Sequence, residues 1–171
     1  MSYRVCFATV GTTQFDALTL ALVSHEVTGL LARHGYSCLR LQIGRGAEPV
    51  LPSDPPPPIP VEWYRFKDSL EADMQSAALI ISHAGAGSIM EGLRCTAPLL
   101  VAVNDGLMDN HQQELAHELD RRGHLIATTP RGLCAALEAL PARAASLEPW
   151  PEGDATEFAR YLGAALGVGA G

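Results

Sequence analysis

The stretch Ile-Ser-His-Ala-Gly-Ala-Gly-Ser-Ile-Met-Glu, residues 81–91, has the residue types of a phosphate-binding turn. An apolar run ends here in small residues that open directly into a predicted helix. The start of a helix presents free backbone N–H groups and a partial positive charge, which both favour an anion such as phosphate. Gly85 and Gly87 have no side chain to hold a diphosphate away from the backbone. The turn therefore predicts a nucleotide-type ligand.

Ser88 and Glu91 allow a second interpretation of the same turn. Their spacing matches a capping box, in which the Ser and Glu side chains satisfy free N–H groups of their own helix. Residues three apart also share a helix face, so Glu91 could instead accept hydrogen bonds from a pair of ribose hydroxyls. Taken by itself, this motif favours the capping interpretation.

A second polar cluster, at residues 104–113, follows the next predicted strand. Asp109 could cap a helix with Gln112 as its capping-box partner. The cluster also offers the uncharged donors and acceptors that sugar hydroxyls require, and these side chains are Asn110, His111, Gln112 and Gln113. Two polar helix starts at neighbouring strand ends together favour a nucleotide-sugar pocket.

The turn Gly11-Thr12-Thr13 follows the first predicted strand and supplies further hydroxyls and N–H groups. It lacks the G-x-G-x-x-G spacing of a dinucleotide fingerprint, and either a structural or a ligand-binding role fits it. Glu71 and Asp73 resemble a carboxylate pair for a divalent cation, but a solvated helix face fits them better. We expect neither a metal ion nor a cofactor.

Charge and composition exclude several classes of function. The net charge of −7 comes with a single lysine, Lys67, and scattered arginines, so the sequence lacks the basic surface of a nucleic-acid-binding protein. The four cysteines are far apart and predict buried, reduced thiols. The sequence has neither a signal-peptide pattern nor an apolar run near the roughly 20 residues of a membrane span. We therefore expect a cytoplasmic protein.

The elements that must position these turns alternate between strand and helix. Near-continuous apolar runs predict strands at 4–10, 37–43, 61–66, 78–82, 99–104 and 124–128. Helices are expected at 15–33, 69–77, 88–94, 110–122 and 130–140. This order predicts one α/β domain over 1–171 with a Rossmann-like, doubly wound, mostly parallel sheet.

Two irregular stretches interrupt the pattern. Residues 54–60, rich in proline, predict a stiff loop, because the alternation of strand and helix resumes at once. Residues 141–153 predict a second loop, which leads to a last helix at about 155–166. The apolar face of that helix fits either a partner protein or the chain's own sheet.

Five ordered motifs resemble a known family. They are Val-Gly-Thr-Thr (10–13), Leu-Gln-Ile-Gly-Arg-Gly (41–46), Tyr-Arg-Phe-Lys-Asp-Ser-Leu (64–70), Ile-Ser-His-Ala-Gly-Ala-Gly-Ser (81–88) and Asn-His-Gln (110–112). The chain resembles the Alg13 subunit family of the UDP-N-acetylglucosamine transferase over residues 5–125. It is more distantly similar to the carboxyl-terminal half of the bacterial lipid II-forming enzyme. The proline run at 55–58 and the glutamine at 113 depart from relatives.

The resemblance implies the donor-binding half of a GT-B glycosyltransferase split between two polypeptides. A membrane-anchored Alg14-like subunit would supply the acceptor half. The implied reaction adds the second GlcNAc from UDP-GlcNAc to GlcNAc-diphosphodolichol in N-glycan precursor synthesis. The resemblance also implies that this chain is recruited to the cytosolic face of the endoplasmic reticulum membrane.

The resemblance also implies roles for individual residues. The turn Gly85-Ala86-Gly87-Ser88 would hold the diphosphate, with Gly11 and Thr12 beside it, and Glu91 the ribose. Gln112 and Gln113 would hold the GlcNAc hydroxyls. His83 and His111 are the candidates in this chain for the catalytic base that inversion requires, although related enzymes suggest a base on the acceptor half.

Two other classes of function fit the same residues. The chain could be a noncatalytic regulatory subunit that binds a UDP-sugar. It could also be a stand-alone nucleotide-sugar epimerase that works as a homodimer. Dependence of the activity on a lipid diphosphate acceptor and on a partner distinguishes these alternatives from a split transferase.

Overall fold

A six-stranded parallel sheet forms the centre of the computed structural model. The structure describes residues 3–104, 106 and 111–151, without the side chains of residues 111 and 112. The strands are β1 Val5–Thr9, β2 Cys38–Gln42, β3 Val61–Tyr64, β4 Ala77–His83, β5 Leu99–Ala102 and β6 Ile126–Thr128. Their order across the sheet is β3-β2-β1-β4-β5-β6, and all paired strands are parallel. This confirms the predicted Rossmann-like, doubly wound α/β fold.

Six helices in the described residues cover both faces of the sheet. They are α1 Asp16–Leu22, α2 His25–Arg33, α3 Glu71–Ser76, α4 Ala86–Leu93, α5 His111–Arg121 and α6 Leu133–Ala144. The apolar side chains of α1, α2 and α6 form one core cluster, and those of α3, α4 and α5 form the other. Successive strand residues alternate between them, so Ala8 joins the first cluster while Phe7 joins the second.

Two helix predictions need correction. The helix expected at 15–33 is two helices, because Ser24 adopts an extended conformation and its side chain accepts the Val27 N–H, which starts a new helix. The last described helix continues through Pro141 to Ala144, where a loop was expected. We attribute its persistence to Leu133, Leu137 and Leu140, which are buried in the core and outweigh the one N–H bond that proline removes.

The expected solvated role of Glu71 and Asp73 is wrong for the second residue. Asp73 is only 5% exposed, and its carboxylate accepts hydrogen bonds from three side chains of neighbouring elements. Short-range sequence spacing placed it correctly on a helix, but only the packing of that helix against the sheet decides its burial.

Three further expectations concern the cysteines, membrane-spanning helices and the last helix. All four cysteines are free; Cys6 and Cys38 are buried, whereas Cys95 and Cys134 are half-buried. Over the described part of the chain, no helix has both the length and the apolarity needed to cross a bilayer. The helix expected at 155–166 lies outside the described residues.

Candidate functional site

A cleft of about 770 Å³ opens at the carboxyl ends of the central strands. The strands β1 and β4 are neighbours in space, and the order of the sheet reverses between them. Ligands of open α/β sheets bind at this kind of position, because the loops after the two strands diverge there. Seven predicted site residues line the cleft: Gly11, Thr12, His83, Gly85, Gly87, Ser88 and Glu91.

The turn between β4 and α4 does not form the capping box that the sequence favoured. Gly85 is the N-cap residue of α4, and no side chain in the described part of the structure caps that end. Ser88 is the third helical residue, too late for a cap, and the first helical hydrogen bond runs from the Ile89 N–H to the Gly85 carbonyl at 2.9 Å. The N–H groups of the first turn therefore have no acceptor within the helix, as an anion site requires.

His83 packs between the two glycines of this site. A Cβ atom added to Gly11 would lie 2.5 Å from Cε1 of His83, and one added to Gly85 would lie 2.3 Å from Nε2. Only glycine at both positions leaves space for the ring. Burial lowers the pKa of His83, with partial opposition from the Thr9 backbone, and no described residue makes a well-formed hydrogen bond to the buried Nδ1. The imidazole is therefore neutral at physiological pH.

Gln42 holds the ends of three neighbouring strands together, a role that the sequence analysis missed. Its Nε2 donates to the carbonyls of Gly11 at 2.8 Å and Arg65 at 2.6 Å. Its Oε1 accepts the hydroxyl of Thr9, which in turn accepts the Gly11 N–H at 3.0 Å. A glutamine inside an apolar strand run was the available signal, because a buried amide must find partners.

The turn after β2 supports the turn after β1. Gly44 has a φ of +55°, and an added Cβ would lie 2.4 Å from the Thr13 carbonyl oxygen and 2.7 Å from that of Gly11. The Arg45 N–H donates to the same Thr13 carbonyl at 2.9 Å. Gly44 is therefore required both by backbone conformation and by close approach.

The loop between β3 and α3 forms another wall of the cleft. Phe66, Lys67, Asp68, Ser69 and Leu70 all line it, and Phe66 is half exposed at 53%. No site residue was expected in this loop from the sequence. The available signal was the position of this segment directly after a strand, which brings it to the same sheet edge as the two glycine turns.

Several predicted site residues are not brought together with this group. Ala86 starts α4 beside the cleft but does not line it, and Gln113 lies in the first turn of α5, also outside the lining. Asp109 and Asn110 lie outside the described residues, as do the side chains of His111 and Gln112. Their proposed roles stay predictions. In the described residues, no group of three or more His, Cys, Asp or Glu side chains is placed to hold a metal ion.

A larger cavity, about 1120 Å³, lies at the opposite end of the sheet. It adjoins the amino ends of β5 and β6, where Pro98 and His124 contribute to its lining together with Trp150. The His124 and Trp150 rings meet edge to face, with centroids 5.0 Å apart. We assign the functional site to the smaller cleft because it combines strand carboxyl ends with a helix amino terminus.

Known sequences that are similar to this chain include glycosyltransferases and subunits of them. The family model described as the glycosyltransferase family 28 C-terminal domain matches residues 5–162. The UDP-N-acetylglucosamine transferase subunit ALG13 of Candida glabrata is 32% identical over 195 residues, covering 94% of this chain and 96% of that protein. The mouse protein of the same name is 48% identical over 128 residues, covering 74% of this chain. The chain spans only 11% of the length of this mouse relative and of a human one.

Solved structures share the fold. An NMR solution structure of ALG13 aligns with a TM-score of 0.68 at 28% identity, covering 94% of this chain and 95% of that one. Acinetobacter baumannii MurG aligns with a TM-score of 0.65 at 20% identity, covering 84% of this chain and 42% of that one. The similarity to MurG concerns the fold alone and extends over less than half of that protein.

Proposed function

The chain belongs to the ALG13 family of UDP-N-acetylglucosamine transferase subunits, and on this premise we propose that it is the donor-binding half of a two-polypeptide glycosyltransferase. The proposed reaction transfers GlcNAc from UDP-GlcNAc to GlcNAc-diphosphodolichol, adding the second GlcNAc of the N-glycan precursor. The acceptor half comes from a membrane-anchored Alg14-like subunit. That partner recruits this chain from the cytoplasm to the cytosolic face of the endoplasmic reticulum.

The free amino terminus of α4 in the cleft is the observation that carries this proposal. Among the described residues, Gly85 caps the helix without any side-chain hydrogen bond, so its first N–H groups are available to a ligand. A Cβ added to Gly87 would meet no atom of a described residue within 4 Å, and this glycine lines the cleft. The backbone at Gly87 is therefore open to a diphosphate, which the positive end of the helix attracts.

The same geometry suits the departure of UDP. Negative charge develops on the diphosphate as the bond to the sugar breaks, and N–H groups held by a helix stabilise that charge without reorganising. His83 reaches the cleft as a neutral imidazole and supports the turn on both sides. Glu91 is exposed one and a half turns into α4, where its carboxylate can accept both ribose hydroxyls. The family resemblance assigns the sugar hydroxyls to Gln112 and Gln113, of which Gln113 does not line the described cleft.

A partner is expected because the residues that line the described cleft are assigned to the donor, and none of them is assigned to the acceptor. Glycosyl transfer requires a second surface that orients the acceptor hydroxyl and excludes water from the donor. A lipid-linked acceptor also brings the reaction to a membrane surface. Both requirements support the proposal of a membrane-anchored subunit that covers the cleft.

Coexpression with and without that subunit tests the proposal. Release of UDP from UDP-GlcNAc is measured with a lipid-linked GlcNAc diphosphate acceptor. We expect almost no activity from this chain alone and a strong gain with the partner present. Turnover of UDP-GlcNAc by the pure chain without acceptor would point to an epimerase. Binding of UDP-GlcNAc with no transfer in the presence of the partner would point to a regulatory subunit.

A further inference from the structure

A nearly buried carboxylate, that of Asp73, links three elements beside the cleft. Its Oδ2 accepts hydrogen bonds from the Lys67 ammonium at 2.7 Å and the Tyr64 hydroxyl at 2.6 Å. Its Oδ1 accepts a hydrogen bond from the Arg40 guanidinium at 3.0 Å. Arg40 lies on β2, Tyr64 ends β3 and Asp73 lies on α3, so one side chain joins the elements that flank the loop at 65–70.

Both ends of that loop are attached by hydrogen bonds. At its start, the Arg65 carbonyl accepts a hydrogen bond from Gln42, and the Arg65 guanidinium donates to the Gly46 carbonyl at 2.7 Å. At its end, the Leu70 carbonyl accepts the Met74 N–H at 2.9 Å. Between these points, the hydrogen bond from Lys67 to Asp73 is the side-chain attachment of the loop to the helix. The Lys67 ammonium also lies 4.2 Å from the centre of the Tyr64 ring, a cation–π contact. Both contacts hold Lys67 in one place.

The charges make these bonds strong. Burial opposes ionisation of Asp73, but the hydrogen bonds from Lys67, Tyr64 and Arg40 outweigh it and lower the pKa of Asp73 below its ordinary value. Hydrogen bonds to a charged and poorly solvated carboxylate contribute more than neutral ones. The side chain of Asp73 is only 7% exposed, whereas that of Lys67 is 46% exposed. Asp73 is thus the fixed member of the pair, and Lys67 is the member that it holds.

We propose that Asp73 is a positioning residue that, through Lys67 and Tyr64, fixes the loop at 65–70 as a wall of the cleft. A wall fixed before binding spares the ligand the entropic cost of ordering it. Asp73 does not line the cleft, so it acts on a ligand only through the loop. The effect on a nucleoside diphosphate rests on the proposed function, while the effect on the loop itself does not.

The composition of the chain offers a direct test of loop position. Lys67 is the only lysine, so an endoproteinase specific for lysine cuts the untagged full chain only after residue 67. We expect Asp73→Asn to raise the cleavage rate by about tenfold, because loss of the charged partner frees the loop. Tyr64→Phe removes one hydroxyl and leaves both cations paired, so it should give a smaller increase in a chain that still folds. Glu62→Gln is the matched control, since Glu62 is exposed and contacts only Arg40 within this network.

Binding of UDP, measured by calorimetry on the same variants, tests the consequence for the ligand. We expect UDP to protect the bond after Lys67 in the wild-type chain and to bind Asp73→Asn about tenfold more weakly, with Glu62→Gln unchanged. Thermal unfolding of each variant separates loop release from global destabilisation. Wild-type rates of cleavage and wild-type UDP affinity in both Asp73→Asn and Tyr64→Phe would overturn the inference. If the wild-type chain itself does not bind UDP, the proposed function fails, and the cleavage rates alone decide the role of Asp73.

Discussion

Replacing Glu91 by alanine separates ligand binding from helix stability. Within the part of the chain that the structure describes, no ion pair or side-chain hydrogen bond engages the Glu91 carboxylate, and the residue is exposed. Because Gly85 is the N-cap and Ser88 is already inside the helix, Glu91 also has no capping role to lose. We therefore expect Glu91→Ala to change the free energy of unfolding by no more than about 0.5 kcal/mol.

The expected effect on the ligand is much larger. A hydrogen bond to a charged group contributes about 1.5–3 kcal/mol, so loss of the carboxylate that accepts both ribose hydroxyls weakens UDP binding by at least roughly 10-fold. Calorimetric titration with UDP measures this change, and urea unfolding of the same sample measures stability. Glu138→Ala is the matched control, because Glu138 is an exposed glutamate on α6 that does not line the cleft.

Two results would refute the reasoning. Loss of about 1 kcal/mol of stability in Glu91→Ala with unchanged UDP affinity would restore the capping interpretation of this motif. Equal affinity in Glu91→Ala, Glu138→Ala and the wild type, with no loss of stability, would remove Glu91 from the site. Glu91→Gln refines the assignment, since it keeps one acceptor oxygen without the charge and should give an intermediate affinity.

Further predictions concern the turns around the cleft. We expect Gly44→Ala to lower the free energy of unfolding by more than about 2 kcal/mol, because its Cβ would clash with two carbonyl oxygens at a positive φ. Gly87→Ala should instead fold normally and weaken UDP binding. Urea unfolding measures the stability of both variants, and calorimetry measures their affinity for UDP. The lowered pKa of His83 means that the unfolded chain binds a proton more readily than the folded one below about pH 6.5, so this residue lowers stability as the pH falls. Between pH 7.5 and 5.5, the free energy of unfolding should therefore fall more in the wild-type chain than in His83→Gln, by at most about 1.4 kcal/mol per pH unit. If the free energy of unfolding depends on pH in the same way in both chains, the lowered pKa of His83 is wrong.

Local sequence patterns sufficed for much of the architecture. The apolar runs predicted all six described strands in order. For β1, β2 and β5 the reason is that a strand buried on both faces is apolar at most consecutive positions, whereas the edge strand β3 is partly exposed and carries Glu62. The small residues at 84–87 correctly predicted a turn that opens a helix. The break at Ser24 was also accessible in principle, since serine is a strong N-cap residue, but the long apolar periodicity around it suggested one continuous helix.

The sequence by itself determined an alternating α/β fold with a glycine turn at the start of a helix, because strand, helix and turn preferences act over short distances. Only the tertiary structure decided that β1 lies beside β4, which brings Gly11, His83 and Gly85 into one site. It also decided that Ser88 and Glu91 line the cleft and that Asp73 is buried among cations. These features depend on contacts between residues far apart in the chain, and the spacing of residues within a motif carries no information about such contacts.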